Sequence, residues 1–540
     1  MTGKKSHTIP PNGGDFTTGL FALAPSCAFI LLSLLMIPYA GIQDDEALFA
    51  LPLWESLGRY FELRIFHRHL PLMLMSYLGT LKTAIYWPVL RVFGSGVWAV
   101  RLPMVLAGAV TVYFFYKLLR RSGVRRPVAA ALFGAFLLAT DPTFLLTNTF
   151  DWGPVALEHL LLVTGCYVLV LFHDKPRPRY LAIGFVLFGL ALWNKALFLW
   201  ALSGLTVGAA VVFGPELRRA FSWRNFRIAA TAFLIGASPI VFFNLRHPAT
   251  TVGENLHLDP TISRKWIQFE RSANGDGLFG FIAEEDYANL PKEPHSVLGH
   301  LNEWIHDRLG QHRRTGFAFV FLALLLLAPL WWRSRAAWFS LVFIAVAGGM
   351  MMAIKDAGGS PHHIVLLWPF PQLFAAVAIA AIPWRWLAGL AAAGLLAMNL
   401  LVINQYIFQL ERDGAAGNFT DALFPLSKSL EARRNDRIWV IDWGIYYSMD
   451  LAAQGQLHLG YAADQLRTDT PSLVEQSQLA AMLADPQSIF VGHVREREAF
   501  QGVDERLDRF ADAGGYRKQI LQTVADSNGR PVFEILRFAH

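Results

Sequence analysis

Three consecutive carboxylates stand directly behind the first apolar segment of the chain. Asp44, Asp45 and Glu46 follow the run that ends at Ala40, in the stretch GIQDDEALFALPLW. A carboxylate held beside a substrate can act as a general base or orient a hydroxyl group. An acidic cap on the helix that follows is the alternative, because negative charge is favourable near a helix N-terminus. The same two interpretations apply to Asp151, which precedes Trp152-Gly153-Pro154.

A set of basic side chains could bind an anion beside these carboxylates. Lys195 lies between two apolar runs in GLALWNKALFLW. Its ammonium could meet a phosphate group, or it could extend to the membrane surface as many lysines do. The further candidates for binding phosphate or sugar are His69, His362, His363, Arg59, Arg64 and Lys82. Their spacing does not predict a metal site, so no cofactor is expected, and a divalent metal is the alternative kept open.

The amino-acid composition indicates the class of protein in which these residues lie. Of 540 residues, 54% are hydrophobic and only 16% are charged, whereas a soluble domain carries about 25% charged residues. The net charge of +6 comes from short basic clusters between apolar runs. That pattern is typical of cytoplasmic loops of membrane proteins rather than of a nucleic-acid-binding surface. The sequence therefore predicts a multi-pass α-helical membrane protein without a nucleic-acid partner.

About eleven segments are apolar and long enough to cross a membrane. They are residues 20–40, 97–117, 128–147, 153–172, 180–193, 196–213, 228–245, 315–332, 336–354, 363–383 and 386–406. The basic loops fall on one side, together with Lys4 and Lys5, only if residues 70–93 do not cross. Residues 70–93 contain Lys82 and two prolines, so we expect them to form an interfacial helix.

This topology places the N-terminus in the cytoplasm and the polar side chains on the outer face. A membrane domain of residues 1–406 then carries a first outer loop at 41–96 and a large outer loop at 246–314. Apolar residues at helical spacing in 297–309 indicate a second interfacial helix rather than a histidine metal site. The tail, 407–540, contains strand-like runs at 437–443, 488–494 and 531–538. It is predicted to be a small extracytoplasmic α/β domain.

The order of these motifs resembles that of a known family. An Asp-Glu pair follows the first span, and HLPL, FGSGVWAVRLP, an Asp at an outer span end and GLALWNK come after it. This order is similar to that of the polyprenyl-phosphate-sugar transferases of the GT-C class. The resemblance is to glycosyltransferase family 39, the protein O-mannosyltransferase and aminoarabinose transferase group. It covers residues 20–215 well and the remaining spans loosely.

The resemblance implies roles for individual residues. Asp45 takes the place of the catalytic acid, with Glu46 completing the pair and Asp44 as an additional carboxylate. Asp151 matches the second outer-loop Asp, and Lys195 matches the lysine behind the Gly-Leu-Ala run. His69 opens the HLPL motif, although Leu70 replaces a family proline there. The pair at 362–363 stands where relatives often have Arg or Tyr.

The resemblance also implies a function. The chain would be a membrane glycosyltransferase of the bacterial inner membrane, with its active site facing the periplasm. It would transfer a sugar, with inversion, from a polyprenyl-phosphate donor to a hydroxyl group of a protein, lipid or glycan acceptor. One alternative is a flippase or transporter of lipid-linked sugars, which the nearly uncharged span centres disfavour. The other is a GT-C oligosaccharide ligase or polymerase.

Overall fold

The computed structural model describes residues 15–54, 59–66, 68–259, 261–285, 291–355 and 358–540. Lys4 and Lys5, which support the predicted orientation of the N-terminus, lie outside the described residues. The helices up to residue 412 are α1 (Asp15–Met36), α2 (Asp44–Ala47), α3 (Leu81–Phe93), α4 (Val97–Arg121), α5 (Pro127–Ala139), α6 (Pro142–Thr149), α7 (Val155–Asp174), α8 (Pro178–Asn194), α9 (Phe198–Ala220), α10 (Trp223–Arg246), α11 (Thr250–Asn255), α12 (Ile262–Asn274), α13 (Val297–Leu309), α14 (Phe317–Leu326), α15 (Ala328–Trp331), α16 (Arg335–Ala353), α17 (Pro361–Ile364), α18 (Phe370–Ala381) and α19 (Arg385–Arg412).

Long apolar helices make the chain an integral membrane protein. In the described residues, seven helices are long and apolar enough to cross a membrane, and up to nine spans result if each of two bent pairs is one span. The bent pairs are α5 with α6, at 57°, and 361–367 with α18, at 46°. Two more predicted spans correspond to the shorter apolar helices α8 and α14. The predicted count of eleven is therefore not confirmed.

The bend between α5 and α6 has a local cause. Asp141 interrupts the apolar run, and its side chain accepts a hydrogen bond from the backbone N–H of Phe144 at 2.9 Å. Pro142 occupies the first turn of α6, where its missing N–H costs nothing. Gln372 of α18 donates to the second carboxylate oxygen of Asp141 at 2.9 Å. A capped helix start inside the predicted span 128–147 thus divides it into two helices.

Glycines bring the helices α8 and α10 into close contact. A Cβ atom on Gly189 would lie 2.2 Å from the carbonyl oxygen of Phe233, and one on Gly236 would lie 2.3 Å from that of Val186. Only glycine permits this approach of two backbones, as is common between membrane helices. The crossing fixes the C-terminal half of α8, which ends at the residue before Lys195.

The first outer loop differs from the prediction of an interfacial helix over 70–93. The described residues of this loop contain an antiparallel sheet of three strands, β1 (Phe61–Ile65), β2 (Arg68–Met75) and β3 (Leu78–Gly79). Only 81–93 is helical, as α3. The run LPLMLM suits either a helix or a strand by its pattern. Its pairing with β1, in which Leu63 faces Leu70, selects the strand. The predicted interfacial helix is therefore wrong for its first half.

The large outer loop contains three short helices, α11 to α13. The helix predicted from the spacing of apolar residues at 297–309 is present as α13. The Ser296 side chain caps its N-terminus by accepting a hydrogen bond from the N–H of Gly299 at 2.8 Å. This loop lies on the side of the molecule from which the tail begins, because the backbone N–H of Lys292 donates to the Arg412 carbonyl at 2.8 Å. The first outer loop lies on the same side.

The tail is a mixed sheet covered by helices on both faces. Its elements are α20 (Leu423–Glu431), β4 (Arg437–Val440), α21 (Tyr446–Ala453), β5 (His458–Tyr461), α22 (Leu473–Ala484), β6 (Ser488–His493), α23 (Val503–Ala513), β7 (Arg517–Ala525) and β8 (Pro531–Ala539). The strand order is β5-β4-β6-β8-β7, and β4 is parallel to both of its neighbours. One apolar cluster packs α20 and α21 on one face, and another packs α22 and α23 on the other. The three strands predicted in the tail are present.

The tail packs against the first outer loop. Gly41 donates its backbone N–H to the carbonyl of Phe419 at 2.8 Å. The Ser448 hydroxyl donates to the carbonyl of Ile42 at 2.7 Å. Leu51 is part of the apolar cluster beneath α20 and α21. The segment that carries the acidic triplet is thus held between the membrane helices and the tail.

Candidate active site

The acidic triplet forms the short helix α2, which is capped by the residue before it. The Gln43 side chain accepts hydrogen bonds from the N–H groups of Asp45 and Glu46, at 2.6 and 3.3 Å. The Glu46 carboxylate in turn accepts from the Gln43 N–H at 3.4 Å. Successive residues of a helix point about 100° apart. The three carboxylates therefore face three different parts of the molecule.

Glu46 is fully buried and paired with Arg101 of α4. The Arg101 guanidinium donates to both carboxylate oxygens, at 2.8 and 2.9 Å. Its remaining N–H groups donate to the carbonyls of Ile37, Ala40 and Gly41, at 2.6 to 2.9 Å. All five donors of an arginine can thus be satisfied. The pair joins the end of the first span to α2, and it leaves Glu46 no oxygen free for a substrate.

Asp44 faces the tail. Its Oδ1 atom accepts a hydrogen bond from the backbone N–H of Tyr447, in the first turn of α21, at 3.0 Å. Burial, reinforced by the negative charge of Asp45, raises the pKa of Asp44 to about 8. A carboxyl group in this position connects the tail to the first outer loop.

Asp45 is the one carboxylate of the triplet that is partly exposed. Its Oδ2 atom accepts hydrogen bonds from the indole N–H of Trp152 at 3.0 Å and from the Gln43 amide at 3.2 Å. It forms no ion pair with any described residue. A partly exposed carboxylate, oriented by two neutral donors, can still accept a proton or a hydrogen bond from a ligand.

Asp151 is buried and paired with Lys82. The distance from Lys82 Nζ to Asp151 Oδ2 is 2.6 Å, and Oδ1 accepts a hydrogen bond from the N–H of Ala156 at 2.9 Å. Burial raises the pKa of Asp151, and the charge of Lys82 opposes that effect. The φ angle of Asp151 is +37°, a conformation that Asp tolerates better than most residues. The N-cap residue of α7 is Pro154 and not Asp151 as predicted, although the Asp151 carboxylate accepts a hydrogen bond from the first turn of α7 in addition to its ion pair.

Lys195 occupies the turn between α8 and α9. The sheet of the first outer loop holds this turn, because Ala196 donates its N–H to the Tyr77 carbonyl at 2.9 Å. The Lys195 side chain is 3% exposed. Burial lowers the pKa of Lys195 to about 8, and the charges of Glu158, Asp45 and Asp151 oppose the shift. Its ammonium forms no hydrogen bond or ion pair within the described residues, so it is available to an anion.

The predicted histidines and arginines divide into two groups. His362 stacks on Trp152 with 4.6 Å between ring centroids, and its neighbour His363 lies 4.1 Å from it. This pair therefore adjoins Asp45 through Trp152. The other three predicted residues, His69, Arg59 and Arg64, surround Glu62 on the first sheet at 2.6 to 4.0 Å. Among the described residues, none of these three forms a hydrogen bond or an ion pair with Asp45, Asp151 or Lys195.

Two charged residues, Glu158 and Arg101, were missed by the sequence interpretation. Glu158 of α7, whose charge acts on Lys195, is 2% exposed and accepts a hydrogen bond from the Asn194 amide at 2.8 Å. Its second carboxylate oxygen has no hydrogen-bond partner in the described part of the chain. A charged residue inside an apolar helix is costly and often functional, and this signal would have identified both Glu158 and Arg101.

A cavity of about 980 Å³ lies beside Asp45, between the first outer loop and the tail. Gln43 and Trp152, the two residues that donate hydrogen bonds to Asp45, line its wall on the membrane side. Trp443, His493 and Arg530 line the wall formed by the tail. Within the described ranges, no group of three or more His, Cys, Asp or Glu side chains is arranged to hold a metal ion. The expectation that no cofactor is needed stays a prediction.

The comparisons with known proteins agree with this geometry. Residues 81–243 match the family described as dolichyl-phosphate-mannose-protein mannosyltransferase. The match includes Lys82, Asp151 and Lys195 and ends before the tail. No curated protein matches the chain significantly.

Two solved structures share the architecture of nearly the whole chain. The first is ArnT from Cupriavidus metallidurans bound to undecaprenyl phosphate, with a TM-score of 0.57 and 14% identity over 97% of this chain and 98% of that one. This chain has the GT-C fold. The second GT-C structure is the archaeal oligosaccharyltransferase AglB from Archaeoglobus fulgidus, in complex with an inhibitory peptide and a dolichol-phosphate. Its TM-score is 0.54, with 12% identity over 95% of this chain and 74% of that one.

The resemblance predicted from the sequence is therefore confirmed. The match to the mannosyltransferase family and the GT-C fold together support an enzyme that transfers a sugar from a lipid-linked donor.

Proposed function

We propose that the chain transfers a sugar, with inversion, from a polyprenyl phosphate to a hydroxyl group of an acceptor. The reaction takes place at the outer face of the bacterial inner membrane. One observation carries the proposal. Asp44, Glu46 and Asp151 are committed to internal partners, whereas Asp45 is partly exposed and lies close enough to the unpaired Lys195 to affect its pKa.

The phosphate group of the donor binds at Lys195. A buried ammonium without a direct ion-pair partner is costly, and an anionic ligand that pairs with it reduces that cost. Charge-assisted hydrogen bonds to phosphate oxygens are also stronger than neutral ones. Undecaprenyl phosphate, the molecule bound to ArnT in a similar fold, has the chemistry that this position requires. His362 and His363 are further donors to the phosphate or the sugar.

Asp45 acts as the general base. It takes the proton from the acceptor hydroxyl while the acceptor oxygen forms a bond to the anomeric carbon of the sugar. The bond between that carbon and the phosphate oxygen breaks, and the polyprenyl phosphate leaves as an anion with its electron pair. Positive charge develops on the sugar ring in the transition state, as in glycoside hydrolysis. The ammonium of Lys195 stabilises the departing phosphate.

The other carboxylates predicted to be catalytic have positioning roles in this proposal. Glu46 and Arg101 hold α2 against the end of the first span. Lys82 and Asp151 hold the turn that presents Trp152 to Asp45. Asp44 connects α2 to the tail by accepting a hydrogen bond from the backbone N–H of Tyr447. Each role follows from the hydrogen-bond partners of the residue, and none requires contact with the substrate.

The basic ends of the helices support the outer face as the location of the site. Helix α4 begins near the site and ends at Arg120 and Arg121. Helix α8 begins behind Lys175 and Arg177 and ends at the site. Basic clusters lie predominantly in the cytoplasm, so the end that carries Asp45 faces outwards.

Substitution of Asp45 tests the proposal. Asp45→Asn keeps the hydrogen bonds from Trp152 and removes the base, so we expect the rate of sugar transfer to fall by about 10²–10⁴-fold. The assay follows labelled sugar leaving a polyprenyl-phosphate donor, with thermal unfolding of the purified protein as a measure of its integrity. Glu62→Gln, which changes another partly exposed carboxylate in the same loop, is the matched control and should transfer normally. Transfer by Asp45→Asn at the wild-type rate would exclude Asp45 as the base.

A second candidate is transfer of an oligosaccharide instead of a single sugar. We retain this candidate because the chain shares its fold with the oligosaccharyltransferase AglB. Mass spectrometry of the product distinguishes the two, because the acceptor gains the mass of one sugar or of several. A transporter of lipid-linked sugars would move the donor intact, so release of free polyprenyl phosphate separates both candidates from that alternative.

A further inference from the structure

Aromatic rings from the membrane side, the large outer loop and the tail together form an aromatic wall of the cavity beside Asp45. Trp152 lies 5.7 Å from Phe281 and 5.7 Å from Phe419 between ring centroids. All three residues line the cavity, and Trp443 of the tail lines it as well. Aromatic rings with a polar edge are suited to surfaces on which a ligand presents both apolar and polar groups.

The wall formed by the tail contains a histidine with a fixed orientation. His493 Nδ1 lies 2.7 Å from Asp442 Oδ2. The same carboxylate accepts hydrogen bonds from the backbone N–H groups of Trp443, Ala499 and Phe500, at 2.8 to 2.9 Å. Because all of its other partners are donors, this network assigns the proton to Nδ1 of His493. In the neutral ring, Nε2 is then a hydrogen-bond acceptor.

Arg530 adds an unsatisfied donor to this wall. Its Nε donates to Asp526 at 2.7 Å, and Nη2 donates to the Asp413 carbonyl at 2.6 Å. The buried Nη1 has no hydrogen-bond partner among the described residues, and its nearest carboxylate oxygen, on Glu284, is 3.9 Å away. The side chain is 5% exposed. A buried donor that lines a cavity without a partner indicates a ligand that supplies the acceptor.

The position of these residues in the sheet indicates a ligand site rather than a surface for a peptide strand. Trp443 follows β4 and His493 ends β6, so both lie at the carboxyl ends of neighbouring parallel strands. Ligands of open α/β sheets bind at that edge. A peptide that extended the sheet would need an unpaired strand edge. The edge strands are β5 and β7, and neither contributes a residue to the cavity lining.

We propose that this cavity binds the acceptor and that the acceptor is a saccharide, either free or carried by a lipid. A saccharide offers hydroxyl groups that both donate and accept hydrogen bonds. One hydroxyl donates to His493 Nε2, another oxygen accepts from Arg530 Nη1, and the faces of the sugar rings lie on the aromatic wall. This inference rests on the proposed function, because the hydroxyl that reacts must reach Asp45 behind Gln43 and Trp152.

The acceptor assay uses the full-length protein in detergent with a labelled polyprenyl-phosphate sugar. Three envelope fractions are offered separately: oligosaccharides released by mild acid, glycolipids extracted with organic solvent, and protein freed of its glycans. We expect label in the oligosaccharide or the glycolipid fraction, and which of these receives it identifies the source. Label in the protein fraction alone would overturn the inference. If the wild-type protein releases no sugar from the donor under any condition, the proposed function itself fails.

Variants connect that result to the cavity. His493→Phe keeps the ring and its packing on Phe533 but removes both nitrogens. We expect the KM for the saccharide fraction to rise roughly three- to tenfold, the effect of losing one hydrogen bond, with the KM for the donor unchanged. His458→Phe, on the exposed edge strand β5, is the matched control. Binding of the saccharide fraction, followed by tryptophan fluorescence, gives a readout that does not depend on turnover.

Trp443→Ala is the second variant, and it tests the same inference if the His493→Phe protein does not fold. It shortens the aromatic wall and should weaken binding of the saccharide fraction without changing the KM for the donor. Wild-type acceptor kinetics in both variants would place the acceptor elsewhere. A parallel rise in the KM for the donor would also contradict the assignment, because the cavity would then belong to the donor.

Discussion

Two buried lysines lie beside the turn at residues 151–154, and the chain compensates their charges differently. Lys82 has the Asp151 carboxylate at 2.6 Å, the Gly153 carbonyl at 3.1 Å and the ring of Phe49 at 4.5 Å. Lys195, which is equally buried, has no hydrogen bond or ion pair in the described chain. A fold selected only for stability would pair both. We infer that Lys82 stabilises the turn and that Lys195 binds a ligand.

The largest effect is expected at the first lysine. Lys82→Met leaves the Asp151 carboxylate buried without its partner, which costs about 3–5 kcal/mol of stability. We therefore expect a clear fall in the unfolding temperature of the purified protein. Lys82→Met combined with Asp151→Asn should recover much of this loss, because Asn keeps the hydrogen bond to the first turn of α7 and carries no charge. A stable Lys82→Met single variant would contradict the structural role of the pair.

At the second lysine we expect an effect on binding. Lys195→Met removes charge-assisted hydrogen bonds worth about 1.5–3 kcal/mol, so the Kd for the polyprenyl-phosphate donor should rise by about 10- to 100-fold. Titration of the purified protein with polyprenyl phosphate measures this change. Below pH 8 the unfolding temperature should rise, since a buried charge has been removed. The two substitutions thus have opposite effects on stability, and effects of the same sign would remove the distinction between the lysines.

The smallest effect concerns the dependence of stability on pH. The pKa of Lys195 is about 8 in the folded protein and 10.5 in the unfolded chain. Between these values the unfolded chain binds more protons, so the stability of the wild-type protein gains a contribution as pH rises. Lys195→Met lacks that contribution. The difference in unfolding temperature between the variant and the wild-type protein should therefore shrink from pH 8 to pH 10. A constant difference in unfolding temperature would mean that the pKa of Lys195 is not lowered in the folded protein.

Much of the architecture could be predicted because it depends on local patterns. The strands at 437–440, 488–493 and 531–539 have apolar runs bounded by polar residues. The helix 297–309 has apolar residues at helical spacing. The strand β2 could not be predicted in this way, since LPLMLM fits both structures and only its pairing with β1 decides. The hydrogen bond from Gln372 to Asp141, 231 residues away, could not be predicted from local patterns either.

The individual roles in the acidic triplet could not be read from the sequence. Asp44, Asp45 and Glu46 are adjacent and chemically alike, so no local pattern distinguishes them. Their roles depend on partners far along the chain. Arg101 is 55 residues from Glu46, Trp152 is 107 from Asp45, and Tyr447 is 403 from Asp44. The resemblance selected Asp45, and the structure shows that it is the partly exposed carboxylate of the three.

Arg101 connects a membrane-spanning helix to the turn that carries Asp45. Its guanidinium, on α4, pairs with Glu46 and donates hydrogen bonds to the carbonyls of Ile37, Ala40 and Gly41. The base in the proposed function therefore keeps a fixed position relative to α4 and to the end of the first span.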